Sequence, residues 1–195
     1  MTPMTVTLER EIKLRFPDAD AAREAVQRAG ATPVRSRRFQ EDCLLDTADD
    51  SLRAMRCVLR VRIESGKSYL TFKGPPVAPS IMKIRDELET LVGDGPTLIR
   101  ILEQLGFRVW FRYEKYREEF ALNDVIIAVD ETPVGTFVEI EGGERAIEFM
   151  ARALGRCESD YVLDSYRGLF LQRRERLGFT GADMMFADEW SQHSS

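Results

Sequence analysis

The sequence reads as an α+β domain, an eight-stranded antiparallel β-barrel with helices packed against its outside. Three observations lead there. Eight segments alternate apolar and polar residues with the period of two that marks a strand. At least six of them put fully charged side chains of both signs on the polar face. Four further segments have helical spacing and can cover an apolar face. A sheet with its charged face in water explains any one strand. All six together, with helices available for the other face, point to closure with the charged residues in the lumen.

The elements follow in order. Residues 5–16 form a strand with Glu9, Glu11 and Lys13 on one face. Pro17-Asp18 opens a helix over 18–29, with Ala22, Ala25, Val26 and Ala29 on one side, and Gly30 stops it. Arg35-Ser36-Arg37-Arg38 reads as a solvated basic loop before a strand over 39–46. Strand 58–64 puts Arg60 and Arg62 on one face, and strand 68–73 does the same with Thr71 and Lys73. Gly74-Pro75-Pro76 and Pro79-Ser80 mark a loop, because proline cannot feed a central ladder. Strand 82–92 alternates Lys83, Arg85, Glu87 and Glu89 with Met82, Ile84 and Leu88.

A helix over 97–105 follows Pro96, carries Leu98, Ile101, Leu102 and Leu105, and closes at Gly106. Strand 109–122 holds Lys115 and Arg117, strand 125–130 ends at Asp130, and strand 136–141 carries Glu139 and Glu141. Asp130-Glu131-Thr132-Pro133 also has the composition of a turn. Helices over 144–154 and roughly 164–176 complete a domain of residues 1–177. Residues 178–195 read as a tail, either disordered or folded back as a lid through Met184, Met185, Phe186 and Trp190.

Composition narrows the chemistry. The chain has 195 residues, and 28 Lys+Arg against 33 Asp+Glu give a net charge of −5. An acidic chain is not expected to coat nucleic acid. The one histidine, His193, lies close to the C-terminus, which argues against a Ser-His-Asp triad or an HExxH zinc site. Cys43, Cys57 and Cys157 are odd in number and lack CxxC spacing, as expected of a reduced cytoplasmic protein. With no 18-residue apolar run, no membrane partner is expected. An enzyme of this composition works through carboxylates, Arg, Lys, Tyr or a bound metal.

Like charges closed into a lumen repel one another and are costly to desolvate. They are tolerated where the basic residues meet an anion and the acidic ones a cation. A polyanion with a divalent metal satisfies both demands.

The ordered motifs resemble the CYTH, or triphosphate tunnel metalloenzyme, superfamily. The resemblance begins with the ExExK signature at Glu9-Arg10-Glu11-Ile12-Lys13. It continues through Asp42, Asp46-Thr47, Arg60-Val61-Arg62, Lys73-Gly74-Pro75 and Arg85-x-Glu87-x-Glu89. Lys115-Tyr116-Arg117, Asp130 and Gly135-x-Phe137-x-Glu139-Ile140-Glu141 follow, and Ser165-Tyr166-Arg167-Gly168-Leu169 is similar to a segment of cyclase-like members. The resemblance covers about residues 5–172. It implies a tunnel that binds a triphosphate beside Mg²⁺ or Mn²⁺, and it allows a homodimer through an outer barrel face.

On that footing Lys13, Arg60, Arg62, Lys73, Lys83, Arg85, Lys115 and Arg117 are the expected substrate-binding residues. The arginines can grip phosphate oxygens bidentately, whereas the lysines act as point charges. Glu9, Glu11, Asp130, Glu139 and Glu141 are hard oxygen donors suited to Mg²⁺ or Mn²⁺ rather than zinc. Lys13, Glu9, Glu11 and Glu139 are the expected catalytic set. Asp42, Tyr113 and Tyr166 are expected to be structural, and Glu64 and Glu119 to sit at the rim.

Three functions fit. The preferred reading is a metal-dependent triphosphatase, in which water is the nucleophile and the substrate is tripolyphosphate, thiamine triphosphate or a nucleoside triphosphate. The alternative is a class IV adenylate cyclase forming cyclic AMP and pyrophosphate from ATP. The third is a polyphosphate-binding module without catalysis, which would have little use for metal-type carboxylates on two separate strands.

Overall fold

A computed structural model describes residues 7–77 and 80–187. Eight strands close into a barrel in the order β1-β5-β4-β3-β2-β6-β7-β8, with β8 returning to β1. The strands are β1 Thr7–Phe16, β2 Thr32–Thr47, β3 Val58–Glu64, β4 Lys67–Lys73, β5 Lys83–Val92, β6 Phe107–Leu122, β7 Val125–Thr132 and β8 Gly135–Gly142. Every neighbouring pair is antiparallel, so the barrel leaves no unpaired edge. The expected residues Thr5, Pro79, Trp190 and His193 lie outside the described residues.

Helices α1 Ala19–Arg28, α2 Ser51–Ala54, α3 Gly95–Gln104, α4 Glu144–Ala153 and α5 Tyr166–Arg173 complete the fold. Asp18 caps α1 by accepting from the Ala21 amide at 2.8 Å. Ala22 and Val26 of α1 and Ile147, Met150 and Ala151 of α4 share one core with Ile12, Leu14, Ile127, Val129, Val138 and Ile140. These strand residues face outward, so the main apolar core lies between barrel and helices. Burying each large aliphatic side chain there contributes about 1.5–3 kcal/mol.

Helix α3 covers the β2–β3 side through Ile99, against Cys43, Leu45 and Val61. Asp94 caps it by accepting from the Thr97 amide at 3.0 Å. A Cβ at Gly95 would stand 2.5 Å from Ser68 Oγ, so only glycine permits this approach to β4.

Strand β2 begins at Thr32, seven residues before the expected start. Arg35, Arg37 and Arg38 are therefore strand residues, not a solvated loop, and their charges are met by Glu64, Glu119 and Glu131 on other strands. The described part of the tail packs back onto β6. Met184 is fully buried, and its backbone exchanges hydrogen bonds with Arg112 and Glu114. Phe186 packs against Tyr116 with ring centroids 5.4 Å apart.

Candidate active site

With the aliphatic residues facing the helices, strand alternation turns the charged residues inward. They line an interior cavity of about 380 Å³. Twelve expected site residues share its wall: Glu9, Glu11, Lys13, Arg60, Arg62, Lys73, Lys83, Arg85, Lys115, Arg117, Glu139 and Glu141. Cross-strand register sets many of the encounters. Lys13 stands opposite Glu139 and Glu11 opposite Glu141 on the β1–β8 ladder, while Glu9 faces Arg85 and Glu11 faces Lys83 on β1–β5.

Most of these charges are paired. Lys13 Nζ lies 2.9 Å from Glu139 Oε1. Lys73 Nζ lies 2.5 Å from Glu9 and 3.0 Å from Glu87, and Lys83 Nζ lies 3.0 Å from Glu11. Arg62 donates to both oxygens of Asp42 at 2.9 and 3.2 Å. Arg60 donates to Thr71 Oγ1 at 3.1 Å and lies 3.4 Å from Asp42. Arg117 reaches Asp130 and Glu139.

Asp130, expected among the metal ligands, is fully buried behind this wall. Its oxygens accept from Lys115 Nζ at 2.8 Å, from Arg117 at 2.7 and 2.6 Å, and from the Tyr166 hydroxyl at 2.6 Å. The structure places it as a counter-ion beneath the cationic wall. Asp42 occupies the equivalent position under Arg60 and Arg62. Glu64 and Glu119 line the cavity where Arg35 and Arg38 neutralise them.

Burial and charge pull the ionisable groups apart. Burial raises Glu9 to about 7 despite Lys73, with Glu11 and Glu87 adding repulsion. Partial desolvation, with repulsion from Glu11 and Glu87, also raises Glu141, whose carboxylate has no hydrogen-bond or ion-pair partner among the described residues. Burial opposes ionisation of Glu11 too, but Lys83, Lys13 and Lys73 prevail and bring it to about 2. Burial and neighbouring Arg117 lower Lys115 to about 8, although Asp130 and Glu139 favour its charged form.

Among the described residues, no group of three or more His, Cys, Asp or Glu side chains is already gathered as a metal site. The donor chemistry on the wall nevertheless fits a hard divalent cation. Glu9, Glu11, Glu139 and Glu141 offer carboxylate oxygens, and the raised Glu9 and Glu141 would be relieved by a nearby positive charge.

Sequence reasoning missed two contributors. Gln40 is buried on the wall and donates to Glu64, and the alternation of β2 carried that signal. Arg167 reaches the same cavity from the first turn of α5, where no strand periodicity applies.

Comparison with known proteins adds three likenesses. The CYTH domain family matches residues 7–166. The Methanocaldococcus jannaschii protein named "Putative adenylate cyclase MJ0240" is 30% identical over 135 residues, covering 69% of this chain and 76% of that protein. The solved PH1012 protein of Pyrococcus horikoshii superposes with a TM-score of 0.69 at 28% identity, over 81% of this chain and 96% of that one. Among the described residues, no helix is long and apolar enough to cross a membrane.

Proposed function

Since the chain belongs to the CYTH domain family, we propose that it is a divalent-metal-dependent triphosphatase that binds its substrate in the barrel cavity. The observation that carries this reading is the cavity wall, where Arg60, Arg62, Lys73, Lys83, Lys115 and Arg117 are interleaved with carboxylates in a partly desolvated space. A triphosphate arriving there exchanges carboxylate partners for phosphate oxygens. The arginines hold it by paired N–H groups and the lysines by charge.

Glu9, Glu11, Glu139 and Glu141 are the residues we assign to Mg²⁺ or Mn²⁺. Such a cation supplies neutralisation of phosphate charge when bound. Phosphoryl transfer depends mainly on positioning and electrostatic stabilisation, so a cavity wall without histidine among its described residues is no obstacle. Lys13, fixed against Glu139, presents a buried positive charge to the transferring group. Water adds to the terminal phosphorus, the bridging P–O bond breaks, and orthophosphate leaves the remaining diphosphate.

The lining favours hydrolysis over cyclisation. Among the described residues its aromatic lining is Tyr69, Tyr113 and Tyr166, and the last two are packed into the aromatic cluster beside α5. Among the described lining residues, little is left on which a nucleobase can stack. The cyclase reading is supported by the name of the M. jannaschii relative. The free thiols of Cys43, Cys57 and Cys157 support a cytoplasmic setting.

Incubating the protein with tripolyphosphate, thiamine triphosphate or ATP, plus Mg²⁺ or Mn²⁺, tests the proposal. Orthophosphate release is expected. Cyclic AMP with pyrophosphate would select the cyclase, and tight binding without turnover would select a binding module.

A further inference from the structure

We infer that Arg167 is a specificity-determining residue that binds the free terminal phosphate of a triphosphate chain at the α5 side of the cavity. This rests on the triphosphate reading above and extends it to a choice among substrates.

Arg167 lines the cavity from α5, outside the barrel strands. Its guanidinium carbon lies 4.7 Å from the Trp110 ring centroid. Arg53 also packs on Trp110, at 4.4 Å, but Arg53 pairs with Asp46 and Asp50. Arg167 has no carboxylate or hydrogen-bond partner among the described residues. Its charge is disfavoured there, because it is partly buried, Arg53 is close, and the first turn of a helix repels cations. The arginines at the start of β2 differ, since Glu64 and Glu119 hold Arg35 and Arg38.

An uncompensated cation on a polyanion cavity is the place where an added anion gains most, as it displaces no carboxylate. The ring contact also restrains the guanidinium plane, so its paired donors are presented with less ordering cost. A terminal phosphate carries close to two negative charges near neutral pH, since its second ionisation lies near pH 6. An internal phosphate carries only one. The unpaired guanidinium therefore matches the free end of the chain, and a chain esterified at both ends lacks that group.

Calorimetric titration of wild type, Arg167→Ala and Arg167→Lys tests this in Mg²⁺, with tripolyphosphate and with diadenosine triphosphate as the doubly esterified chain. Arg167→Ala is expected to weaken tripolyphosphate binding about tenfold, as loss of a charge-assisted pair should. Arg167→Lys should fall between the two, and affinity for the doubly esterified chain should be unchanged. Equal tripolyphosphate affinity in wild type and Arg167→Ala would overturn the inference and leave the triphosphate reading intact. Equal losses for both ligands would overturn the assignment to the terminal phosphate. Failure of the wild type to bind tripolyphosphate would overturn reading and inference together.

Discussion

The Tyr166 hydroxyl donates a 2.6 Å hydrogen bond to Asp130 Oδ2, joining α5 to the ionic layer of the barrel. Burial and the Asp130 charge hold the phenol pKa well above its usual value, so it remains a donor. The Tyr166 ring also lies beneath Lys13 and Lys115, at 4.8 and 5.0 Å from their nitrogens. Tyr166→Phe should lower stability by about 1–3 kcal/mol, because Asp130 loses a donor where water is excluded. Urea unfolding measures this, and an unchanged midpoint would show that the bond is not needed.

Asp42 is fully buried and accepts both Arg62 hydrogen bonds. Asp42→Ala leaves two arginines without their shared counter-ion and should cost about 3 kcal/mol. Bound tripolyphosphate should recover part of that loss in a thermal melt, because phosphate oxygens can replace the carboxylate. A variant as stable as wild type without ligand would remove Asp42 from this role.

Lys13 and Arg60 lie on separate strands of the cavity wall. Lys13→Ala and Arg60→Ala should each weaken tripolyphosphate binding by about tenfold or more while the barrel stays folded. Glu139→Gln should reduce metal-dependent turnover and shift its metal titration to higher concentration. Calorimetry and metal-titrated kinetics indistinguishable from wild type would take these residues out of the site.

Activity should follow a bell in pH. Glu9 must ionise to favour a cation, and its pKa is raised to about 7. Lys115 must stay charged to hold phosphate, and its pKa is lowered to about 8. The kcat/KM profile should therefore rise toward pH 7 and fall above pH 8. The raised Glu9 pKa also has a stability sign. Relative to Glu9→Gln, the ligand-free wild type is favoured below the ordinary value of 4.5 and loses that advantage as pH rises to about 7. A flat activity profile, or a stability difference that grows with pH, would contradict these assignments.

Much of this was legible in the sequence because it depends on a period of two. Once Val61 and Ile63 face outward, Arg60 and Arg62 must share the other face, and the same logic placed Glu139 and Glu141. What period cannot supply is the partner across the barrel. The pairing of Asp130 depends on Lys115, Arg117 and Tyr166, which lie 15, 13 and 36 residues away. The early part of β2 was hidden for the same reason. Arg35, Arg37 and Arg38 resemble a solvated loop until Glu64, Glu119 and Glu131 arrive from other strands. Arg167 was hidden because a helix, not a strand, delivers it.

Crystals grown with tripolyphosphate and Mn²⁺, with diffraction recorded at the manganese absorption edge, locate anion and cation independently. The phosphate chain should lie inside the barrel against Arg60, Lys73 and Arg117, with anomalous density beside the Glu9, Glu11, Glu139 and Glu141 carboxylates. Tripolyphosphate bound only to the outer surface, with the cavity filled by solvent, would refute the enclosed site.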